Sequence, residues 1–186
     1  MPRITESKIL IISTHGFEQS ELEFPRDQLR AKGAAVHVAT LDGNAINGWE
    51  GSDWGREAEA DLKIADADAG DYDALVIPGG QINPDLLRVE PDVLKLVRDF
   101  HDTGKTIAAV CHAPWVLVEA GIAKGRKMTS YDSIKTDVKN AGADWVDSEV
   151  ATDNGIITSR NPGDLEAFVS KIVEEIEEGE HQRTAA

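Results

Sequence analysis

A single cysteine, Cys111, stands among 186 residues. One thiol excludes an intramolecular disulfide and any zinc or iron-sulfur site built on several thiolates, and it fits a reducing compartment. Cationic residues are scarce too: 19 Lys and Arg face 34 Asp and Glu, a formal charge of −15. Such a field repels phosphate backbones and anionic membrane surfaces, so direct nucleic-acid binding is not expected. Long hydrophobic runs are missing. The apolar stretch Ile9-Leu10-Ile11-Ile12 follows the polar residues 1–8 and is far too short for a signal-peptide core or a membrane span. A cytoplasmic protein without a membrane partner is expected. His15, His37, His101 and His181 show no spacing suited to a metal, and neither metal nor cofactor is expected.

What is present suffices for one domain. With 41% apolar residues the chain can bury a core without disulfides or metals. The whole of 1–186 reads as a single domain, its core spanning about 8–178, with 179–186 a polar tail. The acidic run Glu174, Glu175, Glu177, Glu178 and Glu180 reads as the solvated face of a last helix.

Short apolar runs bounded by Gly, Pro or Asp alternate with helical patterns, the signature of βαβ units and a buried, mostly parallel sheet. Strands are predicted at 9–13, 36–41, 73–77, 106–110, 125–130, 145–152 and 156–159. Helices are predicted at 21–32, 91–103, from Cys111 through 120, at 133–140 and at 164–178. The fold class is α/β, doubly wound and flavodoxin-like, with helices on both sides of the sheet. Ligands of such folds bind outside the carboxyl ends of the strands.

Three features fall at those ends. Cys111 joins a strand to a helix opening His112-Ala113-Pro114-Trp115, with small residues Ala109 and Ala113 on either side. That is the layout of a nucleophile elbow, whose tight turn leaves no room for large neighbours. Free N–H groups at the following helix start would favour thiolate, so a depressed thiol pKa is expected. A cysteine buried as a small hydrophobe is the plainer alternative. Pro78-Gly79-Gly80 ends a neighbouring strand, where the N–H groups of Gly79 and Gly80, with that of His112, could form an oxyanion hole. Alone, the triplet would pass for an ordinary strand-ending turn. Glu18 and Glu21 follow the first strand, three apart, so one helical turn could present both on the same side. Helix-start carboxylates favoured by the dipole are an equal reading of that pattern. His112 could serve as the base for Cys111. Gly104-Lys105-Thr106 mimics the end of a P-loop, but the position five earlier is Asp99 rather than Gly.

The stretches Phe17-Glu18-x-x-Glu21-x-x-x-Pro25, Asp73 to Gly80, Ala109 to Pro114, Thr129-Ser130-Tyr131, Trp145-Val146-Asp147 and Ser159-Arg160-x-Pro162-x-Asp164-Leu165 together closely resemble the ThiJ/PfpI family. Within it they resemble the PfpI-type intracellular protease and general stress protein branch. The resemblance implies a flavodoxin-like fold related to class I glutamine amidotransferases, an oligomeric state, and protease, glyoxalase or deglycase activity. It makes Cys111 the nucleophile, His112 the adjacent histidine, Glu21 the acid bonded to the sulfur and Glu18 the second acid. Where the family's proteases use a Glu from a neighbouring subunit, this sequence offers Asp85. The later His and acid of the amidotransferases are absent, so glutamine hydrolysis is not expected.

The implied function is a cysteine-dependent stress-response hydrolase acting on small carbonyl compounds, glycated protein or peptides. The alternative is a redox sensor or protective binding protein whose cysteine is oxidised. Because an ionised carboxylate would repel a thiolate, Glu21 and Cys111 are expected to share a proton and titrate as a pair.

Overall fold

The computed structural model describes residues 2–183. Strand β1 (Lys8–Ile12) and the two-residue β2 (Phe17–Glu18) lead into helix α1 (Gln19–Ala31). Then come β3 (Ala35–Thr40), the hairpin of β4 (Ile46–Glu50) and β5 (Asp53–Ala58), and the short β6 (Leu62–Lys63). The second half begins with β7 (Ala74–Ile77), α2 (Ile82–Leu87), α3 (Pro91–Asp102), β8 (Thr106–Val110) and α4 (Pro114–Glu119). It continues through β9 (Lys127–Met128), α5 (Lys135–Asn140), β10 (Asp144–Trp145), β11 (Ala151–Asp153), β12 (Ile156–Ser159) and α6 (Leu165–Glu178).

Seven strands form the central sheet in the order β11-β12-β8-β7-β1-β3-β6, parallel except for the edge strand β11. Alternate residues feed two cores. Leu10, Ile12, Leu75, Ile77 and Ile107 join the α3 residues Val93, Leu96, Val97 and Phe100. Ile9, Ile11, Val76, Ala108 and Val110 join Phe168, Val169, Ile172 and Ile176 of α6. Burial on both faces is why these strands read as continuous apolar runs and both helices show an i, i+3, i+4 stripe. The fold is the flavodoxin-like sandwich expected from the pattern.

The structure departs from the expected elements where polar side chains or glycines decide the path. The strand expected over 145–152 is broken. Trp145 pairs with Met128 in a separate two-stranded sheet, while Asp147 is drawn to Arg160 at 2.8 Å and Ser148 Oγ donates to the Val150 carbonyl at 2.8 Å. The β4–β5 hairpin carries no apolar alternation; an edge-on contact of Trp49 and Trp54, centroids 5.4 Å apart, braces it. Residues 179–183 are polar but do not trail into solvent. His181 N–H donates to the Gly104 carbonyl at 2.8 Å, and the Arg183 guanidinium reaches the carbonyls of Lys105 at 2.7 Å and His101 at 2.9 Å. Glu175 likewise leaves the expected solvated face: it is buried, 3.2 Å from His181 Nε2. No helix among the described residues is long and apolar enough to cross a membrane.

The carboxyl ends of β1, β7 and β8 converge, and one side chain ties two of the loops that leave them. Fully buried Asn83 accepts from Thr14 N–H at 2.7 Å and donates to the Pro78 carbonyl at 2.9 Å. Asn83→Ala leaves both backbone groups buried and unpaired, so it should cost about 2–4 kcal/mol of stability. Urea unfolding of both proteins measures this.

Candidate active site

Strand β8 is buried along its length and hydrogen-bonded on both sides, so the chain leaving it must turn within one residue. Cys111 takes that turn with φ at 65°, and Asn154 is the other non-glycine residue with positive φ among those described. A bulky residue in this conformation is strained by roughly 1–2 kcal/mol. The backbone around it is over-determined: Cys111 N–H donates to the Ser159 carbonyl at 2.9 Å, and its own carbonyl accepts from Tyr131 N–H at 2.8 Å. The residue is 5% exposed.

Glu21, in the first turns of α1, is completely buried. Its Oε2 accepts from Gly79 N–H at 2.8 Å, while Oε1 is buried without a well-aligned hydrogen bond. The Cys111 thiol is the polar neighbour with which this carboxyl interacts. Only glycine fits at position 79, because a Cβ there would collide with Glu21 Oε2, Cys111 Cβ and the Val110 carbonyl. Burial first of all holds Glu21 up to about 8; the charge of Glu18 adds to this, against hydrogen bonds with Cys111, Gly79 and Gly80. At neutral pH Glu21 therefore carries its proton.

The expected depressed thiol needs correction. Burial pushes the Cys111 thiol up, and an ionised Glu21 would push it further, while the N–H groups of Gly80 and His112 pull it back. Helix α4 is only six residues long and contributes little dipole of its own. The pair therefore gives up its first proton as a unit and strongly resists losing the second. Of the two groups Glu21 gives up its proton first, so a thiolate beside a neutral Glu21 is the minor form of the pair.

His112 presents Nδ1 to the sulfur at 3.2 Å and Nε2 to Ser133 Oγ at 3.2 Å. Its ring stacks on Tyr131, centroids 4.7 Å apart, and meets the edge of Trp115 at 5.2 Å. Burial lowers its pKa. Glu18 is half-buried beside the same opening, its pKa raised by burial and by Glu50. These groups line an open cleft of about 400 Å³, together with Trp49, Gln81, Ile82, Tyr131 and Pro162. Among the described residues no lysine or arginine lines it.

One expected role changes. The Gly79 N–H is committed to Glu21, which leaves Gly80 and His112 as the N–H groups facing sulfur. Asp85, expected to act on a neighbouring subunit, is exposed on α2 outside this chain's own cleft and paired with Arg88 at 2.9 Å. Sequence reasoning gave no role to Ser133, Trp49 or Asn83. Tyr131 carried a signal through its place in the Thr129-Ser130-Tyr131 motif; the others had none.

A strained thiol on an elbow at the carboxyl edge of a doubly wound sheet, next to a buried neutral carboxyl, marks a class of flavodoxin-like α/β proteins built around an elbow cysteine. Residues 7–175 match the model of the DJ-1/PfpI family, and the chain belongs to that family. It is similar to Deglycase TK1284 of Thermococcus kodakarensis, 39% identical over 166 residues that cover 89% of this chain and 97% of the relative. It is also similar to Protein/nucleic acid deglycase 2 of Escherichia coli, 38% identical over 163 residues, covering 87% and 92% of the two chains. The crystal structure of Drosophila melanogaster DJ-1beta superposes with a TM-score of 0.82 at 34% identity, covering 92% of this chain and 94% of that one. Relatives of these kinds make the chain a hydrolase of the PfpI type.

The raised Glu21 pKa fixes the sign of a pH effect. Its neutral form is favoured by folding, so its contribution is fully present below the ordinary value of 4.5 and lost as pH rises through about 8. Relative to Glu21→Gln, wild type should lose up to about 1.4 kcal/mol of stability per pH unit across that window. Chemical unfolding of both proteins at pH 5 and pH 8 checks it; parallel pH dependences would mean that Glu21 is ionised in the fold.

Proposed function

We propose that the chain hydrolyses carbonyl-damaged molecules, a deglycase or glyoxalase type of reaction, with Cys111 as nucleophile. The observation that carries this is the pairing of an elbow thiol with a carboxyl kept neutral by burial, at the floor of a cleft open to small substrates. In the reactive state Glu21 keeps its proton, the thiol proton passes to His112 Nδ1, 3.2 Å from the sulfur, and the charge left on sulfur faces the N–H groups of Gly80 and His112. The thiolate adds to an electrophilic carbonyl carbon: a C–S bond forms, and the carbonyl π pair becomes an alkoxide. Those N–H groups hold the alkoxide, and Glu21 or His112 returns the proton. In the adduct of a 2-oxoaldehyde, the hydrogen on the former aldehyde carbon moves as a proton to the neighbouring carbonyl carbon, through Glu21 or His112, to give a thioester; water then cleaves the thioester C–S bond, releasing the 2-hydroxy acid and restoring the thiol. On a peptide the same addition expels an amine, from a poorer electrophile. The relatives named deglycases favour the carbonyl adducts.

Oxidation of the thiol is the second reading, favoured by the same neutral carboxyl, which could donate to a sulfinate oxygen. A panel of methylglyoxal, glycated peptide and unmodified peptide, run on wild type and Cys111→Ala, separates the two. We expect steady turnover of a carbonyl substrate by the reduced protein and none by Cys111→Ala. A reduced wild type inert on the whole panel, yet driven by limited peroxide to a stable sulfinate, would sink the hydrolase reading.

We also infer a homo-oligomer. Ile82, Leu86 and Val89, at 37%, 43% and 69% exposure, make an apolar patch on and just beyond α2, and Asp85 lies within it. A second copy covering this patch would remove it from water. The lone thiol fits a cytoplasmic setting. Light scattering at micromolar concentration should give a multiple of the chain mass, and Leu86→Glu should shift it toward the monomer. A wild type that is monomeric at those concentrations would leave Asp85 no neighbour to act on.

A further inference from the structure

We infer that Ser133 is the positioning residue of the site: by accepting a hydrogen bond from His112 Nε2 it presents the Nδ1 lone pair to the Cys111 thiol. The inference rests on the proposed thiol chemistry but concerns the machinery rather than the substrate.

A neutral imidazole has one donor and one acceptor nitrogen, so the partner of one nitrogen decides what the other can do. His112 has a partner on each: Cys111 Sγ at 3.2 Å from Nδ1, and Ser133 Oγ at 3.2 Å from Nε2. The Tyr131 stack, with 24° between the planes, and the Trp115 edge hold the ring in the orientation that keeps both contacts. Ser133 sits two residues after Tyr131, whose N–H donates to the carbonyl of Cys111 at 2.8 Å. The loop that carries the hydroxyl is thus pegged to the nucleophile's own backbone.

Charged and titratable groups around the ring are few. Cys111 and Tyr131 touch it, Glu18 and Glu21 face the same cleft, and Arg88 lies over the Trp115 ring at 4.5 Å. Burial alone accounts for the lowered basicity of His112 within this chain. The group this chain itself places at Nε2 is therefore a neutral hydroxyl.

In the step this supports, the S–H bond breaks and its proton bonds to Nδ1, while the electron pair stays on sulfur. The imidazolium so formed keeps its Nε2–H on Ser133 Oγ. With Ser133 absent, the Nδ1–H tautomer becomes competitive, and a nitrogen already carrying hydrogen cannot take the thiol proton.

The test needs no substrate, so it stands or falls apart from the proposed hydrolysis. Nitrogen-15 NMR of the His112 ring in the full chain reads the tautomer and titration directly, and iodoacetamide alkylation of Cys111 reads proton removal. In wild type the Nε2–H tautomer should dominate. Ser133→Ala should mix the tautomers and slow alkylation at pH 7 about tenfold, with unfolding unchanged, because the residue is exposed. Ser133→Thr keeps the hydroxyl and should restore both readouts. Ser133→Asp should raise the His112 pKa by about one unit. Wild-type tautomer and alkylation rate in Ser133→Ala would overturn the inference. So would a His112 titration that moves with Asp85→Asn and not with Ser133→Ala.

Discussion

The proton held between Glu21 and Cys111 is the constraint on which the rest of the site depends. A carboxyl with no exposure is a poor place for a charge, and a sulfur at 5% exposure is little better. Two such groups in contact can carry at most one negative charge between them without a large penalty. Burial therefore acts as part of the chemistry. It keeps an acid protonated near neutrality, so that a proton donor stands beside the nucleophile at the pH where a free glutamate would have lost its proton.

The scaffold that enforces this contact is mostly main chain. β8 delivers the thiol, β7 delivers the Gly79–Gly80 backbone, and α1 delivers the carboxyl from the other side of the same loop. Glycine at 79 lets the backbone pass between Glu21 and Cys111, and Asn83 fastens that loop to the one after β1. The strain at Cys111 persists because the bonds to Ser159 and Tyr131 leave its backbone nowhere else to go.

Much of this was legible in the sequence because the physics behind it is local. Strands buried on both faces must be continuous apolar runs, and β1, β7 and β8 were. A turn within one residue requires small neighbours, and Ala109 and Ala113 gave the elbow away. What was not legible depends on groups far apart in the chain. The level of the thiol pKa is set by burial, which no local pattern around Cys111 records. The commitment of Gly79 to Glu21 spans 58 residues. The Trp49–Trp54 hairpin is held by one aromatic contact rather than by a periodic pattern. The 145–152 segment has strand-like composition, but Arg160 draws Asp147 away from any ladder.

The hairpin divides the protein's labour. β4 and β5 lie outside the central sheet, in a three-stranded sheet with β2, and Trp49 forms one wall of the cleft. None of the atoms that set the Cys111–Glu21 proton belongs to it. Shape and polarity at the mouth can therefore drift without touching the nucleophile, and a lineage could change what it admits while leaving its thiol unaltered. One invariant reactive centre behind a replaceable doorway is a physical route by which near relatives on this fold could come to differ in substrate while sharing their chemistry.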